Sequence, residues 1–212
     1  MPQRRHAPRH SSATLILLAT ANPAKAREMA EILACRRWRL VTASDPGITI
    51  PDVAETGCTY AENALLKAHA AARATGLVAV ADDAGLEIDA LDGQPGVYSR
   101  RFLGESTPFP EKMRRLLQLM ERVPEEERAC RFRAAVAVAQ PTGEQHVCFG
   151  ICEGRIAREM RGAFGFGYDP IFYVPALGRH MAELTPAEKH RISHRGQALA
   201  CVRKVLESVL SV

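Results

Sequence analysis

Residues 77–86 read LVAVADDAGL, and this stretch decides the fold. An apolar run about as long as a buried strand leads directly into two adjacent aspartates, Asp82 and Asp83. Because side chains alternate across a strand, we expect the two carboxylates on opposite faces of the sheet. Paired acids at the carboxyl end of a buried strand suit a divalent cation and a charged substrate. Asp-Asp-Ala-Gly is equally good chemistry for a turn that ends the strand, so both interpretations stay open here.

Helix and strand signals around this stretch predict an α/β fold. The first half alternates apolar strands with capped helices, and after residue 122 two long strands flank a Pro-Thr-Gly turn signal. The predicted elements are strands at 14–19, 38–42, 77–81, 131–139, 145–152 and 171–173, and helices beginning at Asn22, Thr59, Pro110 and Ser193. This order indicates a mixed sheet with parallel strands first and antiparallel strands afterwards.

Composition excludes several classes of protein. The chain has 212 residues, 47% of them hydrophobic, which is enough for one domain over 14–212. The net charge is +4, and removing the three arginines of a basic tail at 1–13 leaves +1, so no general nucleic-acid-binding surface is indicated. We expect that tail to be disordered. No apolar run is long enough for a membrane span, and six cysteines without a C-x-x-C pair indicate reduced, buried thiols in the cytoplasm.

Basic residues lie where helices begin. Lys25 follows the Asn22 cap, and His194 and Arg195 follow the Ser193 cap. A helix N-terminus already carries partial positive charge, so cations there favour a bound anion such as phosphate. Lys67 adds a further cation on the helix that Thr59 caps. The alternative is that these side chains extend into water. Together with the acidic pair, these cations predict a phosphate-rich ligand with a metal ion.

Two further features allow two interpretations each. Glu55 is either an ordinary loop acid or a further oxygen ligand near the aspartate pair. The aromatic–glycine segment 165–170, GFGYDP, is either a packed turn or a loop that lays a ring against a flat ligand.

Seven ordered segments together resemble one family, the inosine/xanthosine triphosphate pyrophosphatases, over the chain from about Thr14 to its end. The segments are TANPAK at 20–25, ETG at 55–57 with ENALLKA at 62–68, ADDAGL at 81–86, PGVYSR at 95–100, GFGYDPIF at 165–172, AEL at 182–184, and EK at 188–189 with ISHR at 192–195. The resemblance implies Mg²⁺-dependent hydrolysis of ITP, dITP and XTP to the monophosphate and pyrophosphate, which cleanses the nucleotide pool. It also implies a homodimer and an elongated mixed sheet flanked by helices, in two lobes with the active site in the cleft between them.

The resemblance also implies roles for single residues. Asp83 matches the proton acceptor and metal ligand, Glu55 the other metal-associated carboxylate, and Lys67 a phosphate-contacting lysine of the catalytic group. The substrate-binding positions are Thr20, Ala21, Asn22, Pro23, Ala24, Lys25, Ala84, Phe166, Gly167, Tyr168, Asp169, Lys189, His194 and Arg195. Ala84 departs from the family, which usually has serine there, so any hydrogen bond from that hydroxyl is absent.

Base selectivity follows from hydrogen-bond matching. Inosine and xanthosine carry an acceptor oxygen at C6 where adenine carries an amino donor. We therefore expect Arg195 and His194 to donate to a keto base. Two other functions stay open: a pyrophosphatase for modified pyrimidine nucleotides, and a nucleotide-binding sensor without catalysis, against which the retained acids argue.

Overall fold

The computed structural model describes residues 13–210; the expected basic tail lies outside them except for Ala13. The strands are β1 (Thr14–Leu18), β2 (Trp38–Val41), β3 (Val78–Ile88), β4 (Ala129–Ala139), β5 (Gln145–Ile156), β6 (Phe172–Val174) and β7 (Arg179–His180). The α-helices are α1 (Pro23–Leu33), α2 (Tyr60–Thr75), α3 (Phe109–Leu119), α4 (Pro186–Ile192) and α5 (His194–Val209). One seven-stranded sheet has the order β2-β1-β3-β4-β5-β6-β7. The predicted α/β class with a mixed sheet is confirmed; two lobes around a cleft stay a prediction.

The predicted helix caps are present. The Asn22 side chain accepts hydrogen bonds from the first backbone amides of α1, and Ser193 does the same for α5. Thr59 forms the capping box of α2. The short helix α4 was not predicted, although Thr185 caps it with a second capping box. Seven residues are too few for an apolar period to stand out.

The strand β3 extends further than predicted. The aspartate pair was expected at the end of a strand, or in a turn, but β3 continues to Ile88. It continues because β4 pairs with it antiparallel along the whole length, with Asp82 opposite Val136 and Asp83 opposite Ala135. The parallel neighbour β1 pairs only as far as Val80. The two carboxylates therefore lie just past the carboxyl end of β1, in the middle of a longer strand.

The two faces of the sheet have different cores. Val80, on β3, packs in a cluster with residues of α1 and α5, such as Met29 and Leu199. Its neighbour Ala81 packs in an alanine-rich cluster with α2. Strand alternation continues this division into the acidic pair, so Asp82 shares a face with α1 and α5, and Asp83 shares a face with α2.

A disulfide corrects the expectation for the cysteines. Cys148 on β5 and Cys201 on α5 are bonded to each other, although reduced thiols were predicted. Their separation of 53 residues gives no pairing signal, and only the packing of α5 on β5 brings them together. The other four cysteines within the described residues are free, and Cys58 is exposed rather than buried. Across residues 13–210, no helix has both the length and the apolar character to span a membrane.

Candidate active site

A cavity of about 1040 Å³ opens where the strand β3 passes the starts of α1 and α5. Its volume suits a nucleotide-sized ligand. Of the predicted site residues, its wall contains Thr20, Ala21, Asn22, Lys25, Glu55, Lys67, Asp83, Ala84, Phe166, Gly167, Tyr168, Asp169, Lys189, His194 and Arg195. Pro23 and Ala24 are not part of the wall, because they form the first turn of α1 below the Asn22 cap.

Asp82 is fully neutralised on the α1/α5 side. Its Oδ1 lies 3.2 Å from Lys25 Nζ, and Arg195 donates to its Oδ2 from Nε at 3.0 Å and from Nη2 at 2.9 Å. Burial alone would raise the pKa of this carboxyl, but the two cations hold it well below the usual range. Asp82 is 2% exposed and is not part of the cavity wall, so it organises Lys25 and Arg195 rather than facing a ligand.

Glu28 joins the same network and was missed by sequence reasoning. Arg195 Nη1 lies 2.7 Å from one Glu28 oxygen, and Lys189 Nζ lies 2.6 Å from the other. Lys189 also lies 2.6 Å from Asp169. Glu28 falls three residues after Lys25 on α1, so helical spacing places both on one stripe, and this was the available signal.

Asp83 has different surroundings on the α2 side. Asn63 Nδ2 donates to its Oδ2 at 3.2 Å, and Lys67 Nζ lies 3.5 Å from its Oδ1. Burial raises the pKa of Asp83 above its ordinary value, and the lysines only partly oppose that effect. Lys67 is nearer to Glu55, at 2.7 Å. The predicted group of Asp83, Lys67 and Glu55 is therefore brought together, with one ammonium between two carboxylates.

Asn63 holds this group in place. Its Oδ1 accepts a hydrogen bond from Gly57 N at 2.8 Å while its amide donates to Asp83. Asn63 is completely buried, and its bond to Asp83 is shielded from water. The loop that carries Glu55 is thereby tied to α2 and to β3.

The other end of the cavity presents aromatic surfaces. Gly165 and Gly167 have φ values of 74° and 68°, which glycine adopts without strain, and they set Phe166 between them. Lys189 Nζ lies 4.7 Å from the centroid of the Phe166 ring, and Arg195 Cζ lies 5.3 Å from it. This loop can offer a flat ligand a ring face backed by cations.

His194 lines the same cavity and is buried with a free polar atom. It stacks on Phe132 with centroids 4.8 Å apart, and its Nδ1 has no hydrogen-bond partner among the described residues. Burial, followed by the charge of Arg195, lowers the pKa of His194 well below its usual value, so the imidazole is neutral at pH 7. A neutral ring with an unused nitrogen can pair with one polar atom of a ligand.

Comparison with known proteins then decides the family. A model of the Ham1 family matches residues 16–205. The chain belongs to the Ham1 family. A protein from Desulforamulus reducens named dITP/XTP pyrophosphatase is 48% identical over 192 residues, which cover 90% of this chain and 94% of the relative. A Coxiella burnetii protein with the same name is 43% identical, covering 93% and 98%.

Solved structures of Ham1 proteins have the same fold. The Ham1 protein of Coxiella burnetii superposes with a TM-score of 0.82 at 43% identity, covering 92% of this chain and 99% of that one. The Staphylococcus aureus Ham1 protein gives 0.81 at 37% identity, covering 92% and 100%. The resemblance found in the motifs is confirmed over nearly the whole of this Ham1 chain.

The donor set of this Ham1 chain fits a Mg²⁺ ion. Glu55 and Asp83 both converge on Lys67, and Mg²⁺ is commonly bound by one or two carboxylates together with water and substrate phosphates. Within residues 13–210, no group of three or more histidine, cysteine, aspartate or glutamate side chains could hold a metal ion alone. Two carboxylates would leave the remaining ligands of such an ion to water or to a bound ligand.

Proposed function

We propose that this chain hydrolyses nonstandard purine nucleoside triphosphates, above all dITP and XTP, to the monophosphate and pyrophosphate. The observation that carries the proposal is the state of Asp83: a cavity-facing carboxylate with a raised pKa, beside Lys67 and Glu55. Relatives over nine-tenths of the chain named dITP/XTP pyrophosphatase support it. Clearance of such nucleotides from the pool is part of the same proposal.

Asp83 is the proposed proton acceptor. A carboxylate with a raised pKa is a better base than an ordinary aspartate, and it would orient or deprotonate the water that attacks the α-phosphorus. The water oxygen bonds to that phosphorus, the bond to the bridging oxygen of the β-phosphate breaks, and pyrophosphate leaves. Asn63 keeps the Asp83 carboxylate directed through its amide hydrogen bond.

Lys67 and Lys25 are proposed to stabilise phosphate charge. Both ammonium groups lie in the cavity wall, and each already contacts a carboxylate that fixes its position. Preorganised charges of this kind need no rearrangement as negative charge develops on the phosphates. Glu55 and Asp83 are the residues that would hold Mg²⁺, which when bound neutralises phosphate oxygens.

Base choice is proposed to lie at the aromatic end. Arg195 uses three of its five N–H groups on Asp82 and Glu28, which leaves two for a keto oxygen. His194 Nδ1 is a further unused polar atom there. Adenine would place an amino donor against these groups, so it would leave them unpaired, and polar sites of this kind discriminate strongly.

A substrate panel tests the proposal. Purified protein with Mg²⁺ is incubated with dITP, XTP, ITP, GTP, ATP and a modified pyrimidine triphosphate, and pyrophosphate and inorganic phosphate are measured separately. We expect pyrophosphate from dITP, XTP and ITP, with kcat/KM at least about 100-fold above that for ATP. Preference for the pyrimidine, release of inorganic phosphate, or binding without turnover would contradict it.

We also propose that the protein acts as a cytoplasmic homodimer. The support is the family to which the chain belongs. Light scattering on the purified protein should give twice the 23.2 kDa chain mass. A single-chain mass over the micromolar range would contradict the dimer.

A further inference from the structure

Arg101 lies in the cavity wall but has no part in the proposed mechanism so far. Its Nη1 donates to the backbone oxygen of Glu55 at 3.1 Å, and its guanidinium lies 5.3 Å from the centroid of the Tyr98 ring. Its Nε is buried and has no hydrogen-bond partner among the described residues. Arg101 therefore keeps several donors that an acceptor could satisfy.

The charge of Arg101 is balanced only at longer range, by Glu55. Three other cations of the wall are paired: Lys25 with Asp82, Lys67 with Glu55, and Lys189 with Asp169. Arg100 and Lys112 also line the cavity, but neither contacts the Glu55 loop as Arg101 does. Within residues 13–210, by contrast, no carboxylate oxygen lies within 4.0 Å of the Arg101 guanidinium. A partly buried guanidinium without a close counter-ion favours an anionic ligand.

The position of Arg101 indicates which kind of anion it would bind. Arg101 lies beside Glu55, on the side of the cavity that α2 and Lys67 form, whereas Phe166, Arg195 and His194 gather on the α5 side. A nucleotide whose base lies at the aromatic end directs its phosphates toward Glu55. A guanidinium is well matched to two phosphate oxygens at once.

We propose that Arg101 binds the β- and γ-phosphates, the pyrophosphate that leaves, while its bond to the Glu55 backbone fixes the metal carboxylate. This inference rests on the proposed function. One side chain thereby couples the position of Glu55 to the presence of the leaving group. Arg101 is a substrate-binding residue in this account, and its contact with Glu55 is a positioning role.

Binding of two probes tests the inference without turnover. Calorimetry measures the affinity of inorganic pyrophosphate and of inosine monophosphate, both with Mg²⁺, for the parent, Arg101→Gln and Arg101→Lys. Arg114→Gln is the matched control, because Arg114 is exposed on α3 and absent from the cavity wall. We expect Arg101→Gln to weaken pyrophosphate binding at least about tenfold and to leave monophosphate binding within about twofold. Arg101→Lys should recover part of the loss, and the control should match the parent.

The results that would overturn this inference can be told apart from failure of the proposed function. Equal weakening of both probes would mean that Arg101 only supports the fold of the site, and no weakening, or no pyrophosphate binding by the parent, would also overturn the inference. Melting temperatures identify a variant that fails to fold. If Arg101→Gln does not fold, the ratio of the pyrophosphate affinity to the monophosphate affinity of Arg101→Lys decides instead. Failure of the proposed function would show separately, as absence of dITP hydrolysis by the parent.

Discussion

Asp82 and Asp83 are neighbours in sequence, yet they face opposite sides of the sheet and differ in almost every physical property. Asp82 is held between Lys25 and Arg195, and its pKa lies well below the usual range. Asp83 faces the cavity, and its one lysine contact, Lys67, is longer at 3.5 Å. Its pKa is raised. A buried carboxylate whose charge two cations neutralise is a structural part, whereas one that is only partly neutralised stays reactive. One strand thereby supplies both a structural carboxylate of the site and its proposed proton acceptor.

The largest effect should come from Asp83→Asn. The amide cannot accept a proton and is a poor ligand for Mg²⁺, so turnover of dITP should fall by about 10² to 10⁴. Folding should be unharmed, because the raised pKa means that the native state disfavours the charged form. Steady-state kinetics and chemical unfolding check both halves. Asp92→Asn, in an exposed loop, is the control, and turnover of Asp83→Asn within about tenfold of the parent would remove the catalytic role.

For Asp82→Asn we expect the main loss in stability rather than in turnover. It leaves Lys25 and Arg195 without their shared carboxylate, so the free energy of unfolding should fall by about 3–5 kcal/mol at pH 7. Because the folded pKa is depressed, the stability due to Asp82 is complete above about pH 3.9 and is lost as pH falls through the folded pKa. Denaturant unfolding of parent and variant from pH 7 down to about pH 1 measures this. A stability loss as small as that of Asp83→Asn would end the distinction between the two carboxylates.

The disulfide lies on the Asp82 side of the sheet, but it stabilises the fold as a whole. Cys201→Ser, or reduction of the parent, should lower the free energy of unfolding by about 2–4 kcal/mol, because α5 is no longer linked to β5. Turnover of the folded protein should change little, since neither cysteine is part of the cavity wall. Unfolding curves with and without reductant make the measurement, with Cys35→Ser as the free-thiol control. Six titratable thiols in the unreduced protein would show that no bond forms.

Arg195→Ala should change the choice of base more than the overall rate. If Arg195 donates to a keto oxygen, the ratio of kcat/KM for ITP over ATP should shrink roughly tenfold, about 1.4 kcal/mol. The variant also leaves Asp82 and Glu28 short of a partner, so its stability is measured in parallel. An unchanged ratio with both substrates slowed alike would assign base choice to His194 or Lys189.

The local parts of this molecule could be predicted from the sequence. Side-chain oxygens at Asn22, Thr59 and Ser193 cap helices through bonds that span a few residues, so the sequence alone places them. The opposite facing of Asp82 and Asp83 follows from strand alternation in the same way. Ordered motifs then identified the family and most of the cavity wall.

Apart from the short helix α4, the missing parts depend on distant partners. The continuation of β3 past the aspartates is set by β4, whose Ala135 pairs with Asp83 from 52 positions later in the numbering. Glu28 matters only because α5 returns beside α1 and brings Arg195 to it. The disulfide likewise needs α5 to pack on β5. Apart from the spacing of Glu28 and Lys25 on one helical stripe, such contacts leave no local pattern, so sequence reasoning could not find them.

Isotope labelling tests the central claim most directly. The parent and Asp83→Asn are incubated with dITP and Mg²⁺ in water enriched in the heavy oxygen isotope, and the products are analysed by mass spectrometry. Attack of an Asp83-assisted water on the α-phosphorus predicts one heavy oxygen in the monophosphate and none in the pyrophosphate, with almost no product from the variant. Heavy oxygen in pyrophosphate or in released inorganic phosphate, or labelling by Asp83→Asn at the parent's rate, would contradict the account.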